Sequence, residues 1–386
     1  MTSTRGKHIF HQHDVKPRVL FLSDHLGYAE GIIHGATTYF LHVLPALQQA
    51  GIPLIVVFLR NRHPVAEQLE QSGIQPIFLD RGKWDMRAFN DLTDLVQNQA
   101  IQFIHAAGMK GSLLGRRVAG HCGISHAIHL HDANPVSWPI RFLQRMDAQR
   151  TEHCLCISNA VAAYARSTFH IPADRITVLH NPLPDSAFIR EPQEHVEALR
   201  AKFQIAEQSK VIALVGRLSP EKGHAAFLRA LPAWLSQQKQ PVHLLIAGEG
   251  PERAACENII GNHAWAGRVT LAGHRNDIRA CLSLADVLVM PSIHEGLGYA
   301  ALEAMAAGCP VVAFAVGGLP ELIAHEETGL LAPPGDYDSL FACVSSILDQ
   351  PQQSARLSMN GLRRARDFAM DKHIHALVNL YQGSRA

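Results

Sequence analysis

The chain alternates, from end to end, between short apolar runs and longer stretches with helical spacing, and this constrains its fold more than any other feature. The runs RVLFLSD (18–24), PLIVVFLR (53–60), IQFIHAAG (101–108), HAIHLHD (126–132), HCLCIS (153–158) and ITVLHN (176–181) are rich in Val, Ile and Leu. They are apolar on both faces, as strands of a parallel sheet covered by helices must be. The segment NPLPDSAFIREPQEHVEALR (181–200) interrupts the pattern with prolines and charges, reading as a linker and then a helix. The alternation then restarts with VIALVGRL (211–218), VHLLIAGEG (242–250), RVTLAGH (268–274), DVLVMPS (286–292) and PVVAFAVGG (310–318). With 386 residues, two domains are expected. The predicted fold class is α/β, with two Rossmann-like, doubly wound parallel-sheet domains facing across a cleft. The expected division is 1–185, 186–366 and a C-terminal helix, 367–386, packing back on the first domain. In such sheets ligands sit beyond the carboxyl ends of the strands.

Composition narrows the function classes. Hydrophobic residues make up 47% and charged residues 18%, as in globular proteins, and the formal net charge of +1 gives no global field for nucleic acid. No apolar run reaches membrane-span length, and the polar, His-rich start carries no signal-peptide core, so a cytoplasmic location is expected. The seven cysteines form no C-x-x-C pair, which favours reduced, buried thiols. Cys154 and Cys156 alternate on one strand and should share a face.

Three stretches carry chemistry. In GRLSPEKG (216–223), Gly216 closes a strand, and Arg217 and Lys222 flank the turn that follows. A guanidinium fork and a compact ammonium at that place suit a diphosphate; a solvated turn is the plainer alternative. In HEGLGYAALEAMAAGCP (294–310), Gly296 and Gly298 shape a turn opening a helix, so backbone N–H groups can face an anion. Glu295 could accept hydrogen bonds from sugar hydroxyls, and Glu303 from the two hydroxyls of a ribose. Two surface glutamates on a good helix former are the alternative. Glu303 stands among Ala, Leu and Met, so a partner for it is expected. The third stretch, HLHD, ends a strand with His129 and His131 on one face. Packed core histidines are the general expectation there. His121, His126, His129 and His131 lack a supporting acid or cysteine set, so no metal is expected. GEGPER (248–253) falls short of a dinucleotide fingerprint. WPIRFLQRMDAQR (138–150) is basic with interleaved apolar residues: a half-buried domain helix with a solvated basic face is favoured over a membrane-lying one.

The combination EGLGYAALEAMAAGCPVV, AVGGLPELI and GRL-x3-KG resembles the retaining glycosyltransferases of family 4, which have the GT-B architecture. LLIAGEGPER, RVTLAGHRNDIRACLSLADVLVMPS, CISNAVAAYA and RITVLHNPL extend the resemblance over most of the chain. It implies a nucleotide-sugar donor, UDP favoured over GDP, and no metal or other cofactor. Arg217 and Lys222 would stabilise the leaving diphosphate, and Glu295 and His131 would lie at the transferred sugar, with His129 on the same face as the alternative to His131. The backbone of Gly298, Tyr299 and Ala300 would meet sugar and phosphate, Glu303 the ribose, and the backbone near His274 and Arg275 the base. The family's N-terminal Gly-Gly loop falls on His34-Gly35, so only Gly35 is retained, and EGLG stands where many relatives have a phenylalanine. The acceptor, a saccharide or lipid-linked hydroxyl in cell-surface polysaccharide or lipopolysaccharide synthesis, would bind near Gly27–Thr38 and Lys110–Gly111. Contact with the inner face of the cytoplasmic membrane is compatible with that acceptor. The alternatives are a nucleotide-sugar hydrolase or epimerase on the same scaffold, and a non-catalytic nucleotide-sugar sensor.

Overall fold

A computed structural model describes residues 16–27, 35–82 and 85–383. His34 and most of the Gly27–Thr38 loop lie outside the described residues. Thirteen strands are described, in two parallel sheets. The first contains β1 (Val19–Ser23), β2 (Leu54–Phe58), β3 (Ile77–Phe78), β4 (Phe103–Ala107), β5 (Ser125–Leu130), β6 (His153–Cys156) and β7 (Ile176–Val178), in the order β3-β2-β1-β4-β5-β6-β7. The second contains β8 (Lys210–Val215), β9 (Val242–Ala247), β10 (Val269–Gly273), β11 (Val287–Met290), β12 (Val311–Phe314) and β13 (Leu330–Ala332), in the order β10-β9-β8-β11-β12-β13. Every strand pairing is parallel.

The apolar runs become strands because helices cover both sides of each sheet. All five residues of β1 and of β4, and all six of β9, are buried. The edge strands β3 and β13 were not among the predicted runs. Their two and three residues are too short to announce themselves, and pairing with β2 and β12 supplies their order. Cys154 and Cys156 do share a face, with their Sγ atoms 3.7 Å apart. All seven cysteines are free thiols, five of them buried.

Two features of this topology place the site. The strand order reverses between β1 and β4 in one sheet and between β8 and β11 in the other. At each reversal the loops leave in opposite directions and open a crevice at the carboxyl edge. The sheets also share one apolar cluster, in which Ile128, Leu130, Cys156 and Val161 of the first half meet Ala301, Leu302, Met305 and Leu319 of the second. The C-terminal helix Met370–Gly383 returns to the first sheet: His373 shares a hydrogen bond with the Tyr39 hydroxyl (3.0 Å), and Tyr381 with His105 (2.6 Å).

Candidate active site at the second crevice

Arg217 and Lys222 follow β8, and Glu295 follows β11, so the two chemistry-bearing stretches meet at the second reversal. The turn after β8 is tied to the one after β11 by the Ile293 N–H donating to the Glu221 carbonyl (2.9 Å). Lys222 Nζ then reaches Glu295 Oε1 at 2.7 Å, and the Ser292 hydroxyl donates to the same oxygen at 2.9 Å. Glu295 is buried, so an acid that looks like a surface residue in the sequence is a fixed, charge-paired group. Arg217 lies 3.9 Å from Glu221, whose carboxylate also accepts from the Ser219 hydroxyl (2.6 Å). Gly216 directly follows β8, its N–H donating to the Ala247 carbonyl (3.0 Å).

The helix Tyr299–Ala306 starts at this point, capped by Gly298 at φ 104°, a backbone conformation that a side chain would strain. Its first N–H groups, at Tyr299 and Ala300, have no acceptor within the helix, and its dipole favours an anion there. Gly296 solves a packing problem. A Cβ at this position would lie 2.6 Å from the His131 carbonyl oxygen, so only glycine lets this turn touch the first half. The Ser158 hydroxyl donates to the Gly296 carbonyl (2.7 Å), and the Tyr299 hydroxyl to the Pro182 carbonyl (2.7 Å), fixing that contact.

Glu303 lies deeper in the same helix. It is half-buried one turn into the helix, yet no hydrogen bond or ion pair to its carboxylate is described among these residues. Burial alone pushes its pKa up to about 7. No protein partner for it stands among the described residues, which leaves its acceptor capacity open to a ligand.

From the first half, His131 stands just beyond β5, its ring centroid 4.8 Å from Tyr39 and 4.2 Å from His129. His129, which shares its face in the sequence, is wholly buried and hydrogen-bonded to His105 (3.1 Å). Desolvation drives the His129 pKa well below the ordinary histidine value and that of His105 to about 3, so both are neutral core groups. Gly35 opens the helix Gly35–Gln49, and a Cβ there would lie 3.9 Å from the Tyr299 ring. The start of this helix therefore lies close to the Tyr299 side chain. His274 is exposed just past β10; Arg275 is engaged by the Asp277 carboxylate (Nε to Oδ1, 2.7 Å) and lies over the Phe203 ring. That leaves backbone rather than the Arg275 side chain for a base.

Three residues that bear on the site were not singled out in the sequence. Ser292 buttresses Glu295. Asp24, at the β1–β4 reversal, accepts from the backbone N–H of Lys110 (3.1 Å) and of Gly111, filling the start of the helix Met109–Cys122. Burial raises the Asp24 pKa. Glu321, from the second half, accepts from the N–H groups of Asn159 (2.9 Å) and Ala160 (3.2 Å), and lies 3.0 Å from His180 Nε2. Ser and Asp at strand ends were the available signals. Nothing local marks Glu321, whose partners are over a hundred residues away.

Two Rossmann-like parallel sheets, with cations, acids and a helix N-terminus gathered at the second crevice, define a protein of GT-B architecture. Comparison with known families agrees. Residues 33–186 match the family described as Glycosyltransferase Family 4, and residues 195–364 match Glycosyl transferases group 1. The chain belongs to these glycosyltransferases. It is 32% identical over 212 residues to an uncharacterized glycosyltransferase of Methanocaldococcus jannaschii, covering 54% of either chain. It is 37% identical over 159 residues to the 2-deoxystreptamine glucosyltransferase of Streptomyces kanamyceticus, covering 40% of this chain and 41% of that one. The matches span about half the length of these relatives. Among solved structures, Anabaena HepE in complex with UDP superimposes with a TM-score of 0.83 at 19% identity, covering 95% of this chain and 100% of that one. Among the described residues no helix is long and apolar enough to cross a membrane, and no cluster of three or more His, Cys, Asp or Glu could hold a metal.

Proposed function

We propose that the chain transfers a hexose-type sugar from a UDP-sugar to a hydroxyl acceptor with retention at the anomeric carbon. The acceptor would be a lipid-linked or growing saccharide of the cell surface. The observation that carries this reading is the half-buried Glu303 carboxylate, without a hydrogen-bond or ion-pair partner among the described residues, one turn into the helix that follows the Glu295 turn, where Lys222 pairs with Glu295. A nucleoside diphosphate has the complementary groups: ribose hydroxyls to donate to Glu303, and a diphosphate for Arg217, Lys222 and the N–H groups of Tyr299 and Ala300. A donor phosphate would compete with Glu295 for Lys222, freeing Glu295 to accept from sugar hydroxyls. The UDP bound by the structural neighbour supports the choice of base.

In this mechanism the cations and the helix terminus act where charge develops, on the departing diphosphate. The acceptor hydroxyl attacks from the face the diphosphate leaves, and no side chain serves as covalent nucleophile. His131 and Gly35, on the opposite wall, bound the sugar and exclude water. Incubation with UDP-hexoses and a panel of saccharide acceptors, read by proton NMR, tests this. An α-linked product from an α-linked donor supports it. Acceptor-independent release of free sugar would instead make the chain a hydrolase, and UDP binding without turnover a sensor.

A further inference from the structure

The helix Trp138–Met146 is built inside out. Its one buried residue is polar: Gln144 accepts from the buried Arg116 guanidinium and donates to the Met109 carbonyl at 3.0 Å. Arg116 in turn donates to the Thr151 hydroxyl (2.8 Å). Ile140 and Leu143 are half-buried, but three apolar residues point the other way. Trp138, Phe142 and Met146 are 71%, 54% and 59% exposed, and their four-residue spacing aligns them in one stripe. The helix is half-buried with its basic face in solvent, as expected, but an apolar stripe stands in solvent beside that face. Rolling the helix to hide the stripe would strip Arg116 of its acceptor and leave a buried charge poorly satisfied, which the fold resists.

What fits the stripe is set by its flanks. Arg141 and Arg145 are exposed beside it, and Trp138–Met146 contains no acid. The next acid, Asp147, is buried and taken by Arg117 (2.7 Å) and Arg150 (2.9 Å). A short apolar stripe between arginines, with a tryptophan at one end, has the chemistry of a helix lying in a bilayer interface. It is too small to supply by itself the roughly 800 Å² per partner of a standard protein interface. We propose that this face docks the protein on an anionic lipid surface. Docking would also place the crevice. His131 is seven residues before Trp138, so at most about 25 Å of chain separates it from the lipid-facing stripe. The proposal stands whichever sugar and acceptor the crevice uses.

The test is co-sedimentation of the full chain with phosphatidylcholine vesicles, with and without phosphatidylglycerol, at low and high salt. Binding should need phosphatidylglycerol and weaken with salt. Arg141→Gln with Arg145→Gln should lower the partition coefficient about twenty-five-fold, near fivefold per charge. Phe142→Ser with Met146→Ser should remove binding, with the melting temperature and UDP binding unchanged, since both side chains face solvent. Should Arg145→Gln loosen its Nε contact to the Thr168 carbonyl (2.8 Å), Arg141→Gln alone carries the charge test. Failure of the wild-type chain to bind anionic vesicles overturns the proposal, as does binding indifferent to these substitutions. A wild-type dimer that Phe142→Ser disperses would overturn it too, by assigning the stripe to a protein contact.

Discussion

Acid should unfold this protein at an unusually high pH, because it buries neutral histidines. His105, His126, His129, His224 and His373 are all buried. Desolvation holds the pKa of His105 and His373 at about 3, those of His126 and His224 at about 4, and that of His129 well below normal. In the unfolded chain each titrates near 6.5. Below that pH the unfolded state binds more protons than the folded one, so stability falls with pH from about 6.5 down to the folded values near 3–4. The full slope is about 1.4 kcal/mol per pH unit per histidine, which gives about 1.2 kcal/mol each between pH 6 and pH 5. Five such groups remove about 6 kcal/mol over that unit. Glu303, whose folded pKa is raised to about 7, acts with the opposite sign. It recovers about 1 kcal/mol, leaving a loss of about 5 kcal/mol, comparable with the whole stability of a typical domain, about 5–15 kcal/mol. Four of the five histidines sit on the first sheet or on the C-terminal helix packed against it, so that half should fail first and the unfolding curve should become biphasic. Urea titrations followed by circular dichroism at pH 8, 7, 6 and 5 test this. The first midpoint should fall steeply below pH 6.5, and His126→Gln should shallow the fall by about 1.2 kcal/mol per unit. A first midpoint constant between pH 7 and 5 would refute the reasoning.

Other expectations follow from the crevice. Glu295→Gln should lower turnover at least a hundredfold with the melting temperature nearly kept, since the amide keeps the Ser292 contact and loses the Lys222 pair; wild-type turnover would remove Glu295 from the site. If ribose hydroxyls donate to ionised Glu303, UDP affinity should drop with pH below about 7, approaching tenfold per unit, and Glu303→Gln should bind weakly at every pH; calorimetry with UDP reads both. Gly296→Ala should push the turn off the His131 carbonyl, 2.6 Å from the added Cβ, and raise the donor KM more than it lowers stability. Glu321→Ala should cost about 2 kcal/mol by uncapping the helix that starts at Asn159, visible as a lower urea midpoint.

The sequence by itself determined the parallel, doubly wound character of both halves. Strands buried on two faces must be apolar at every position, and that pattern survives without any knowledge of neighbours. It also determined the helix-opening turn at Gly296–Gly298 and the cations after β8, because turn glycines and strand-end charges are local signals. Tertiary structure decided everything that depends on which strands are neighbours. Placing β8 beside β11 brought Lys222 to Glu295, seventy-three residues away, and turned two candidate residues into one ion pair. The same holds for His129 and His131. Their spacing makes them equivalent on one strand face, but the packed structure buries His129 wholly and leaves His131, just past the strand, only partly buried against Tyr39 and Phe40. The helix Trp138–Met146 shows the limit most plainly. Its periodicity fixes a stripe, but not which side faces inward, and a single buried arginine on another helix made that choice.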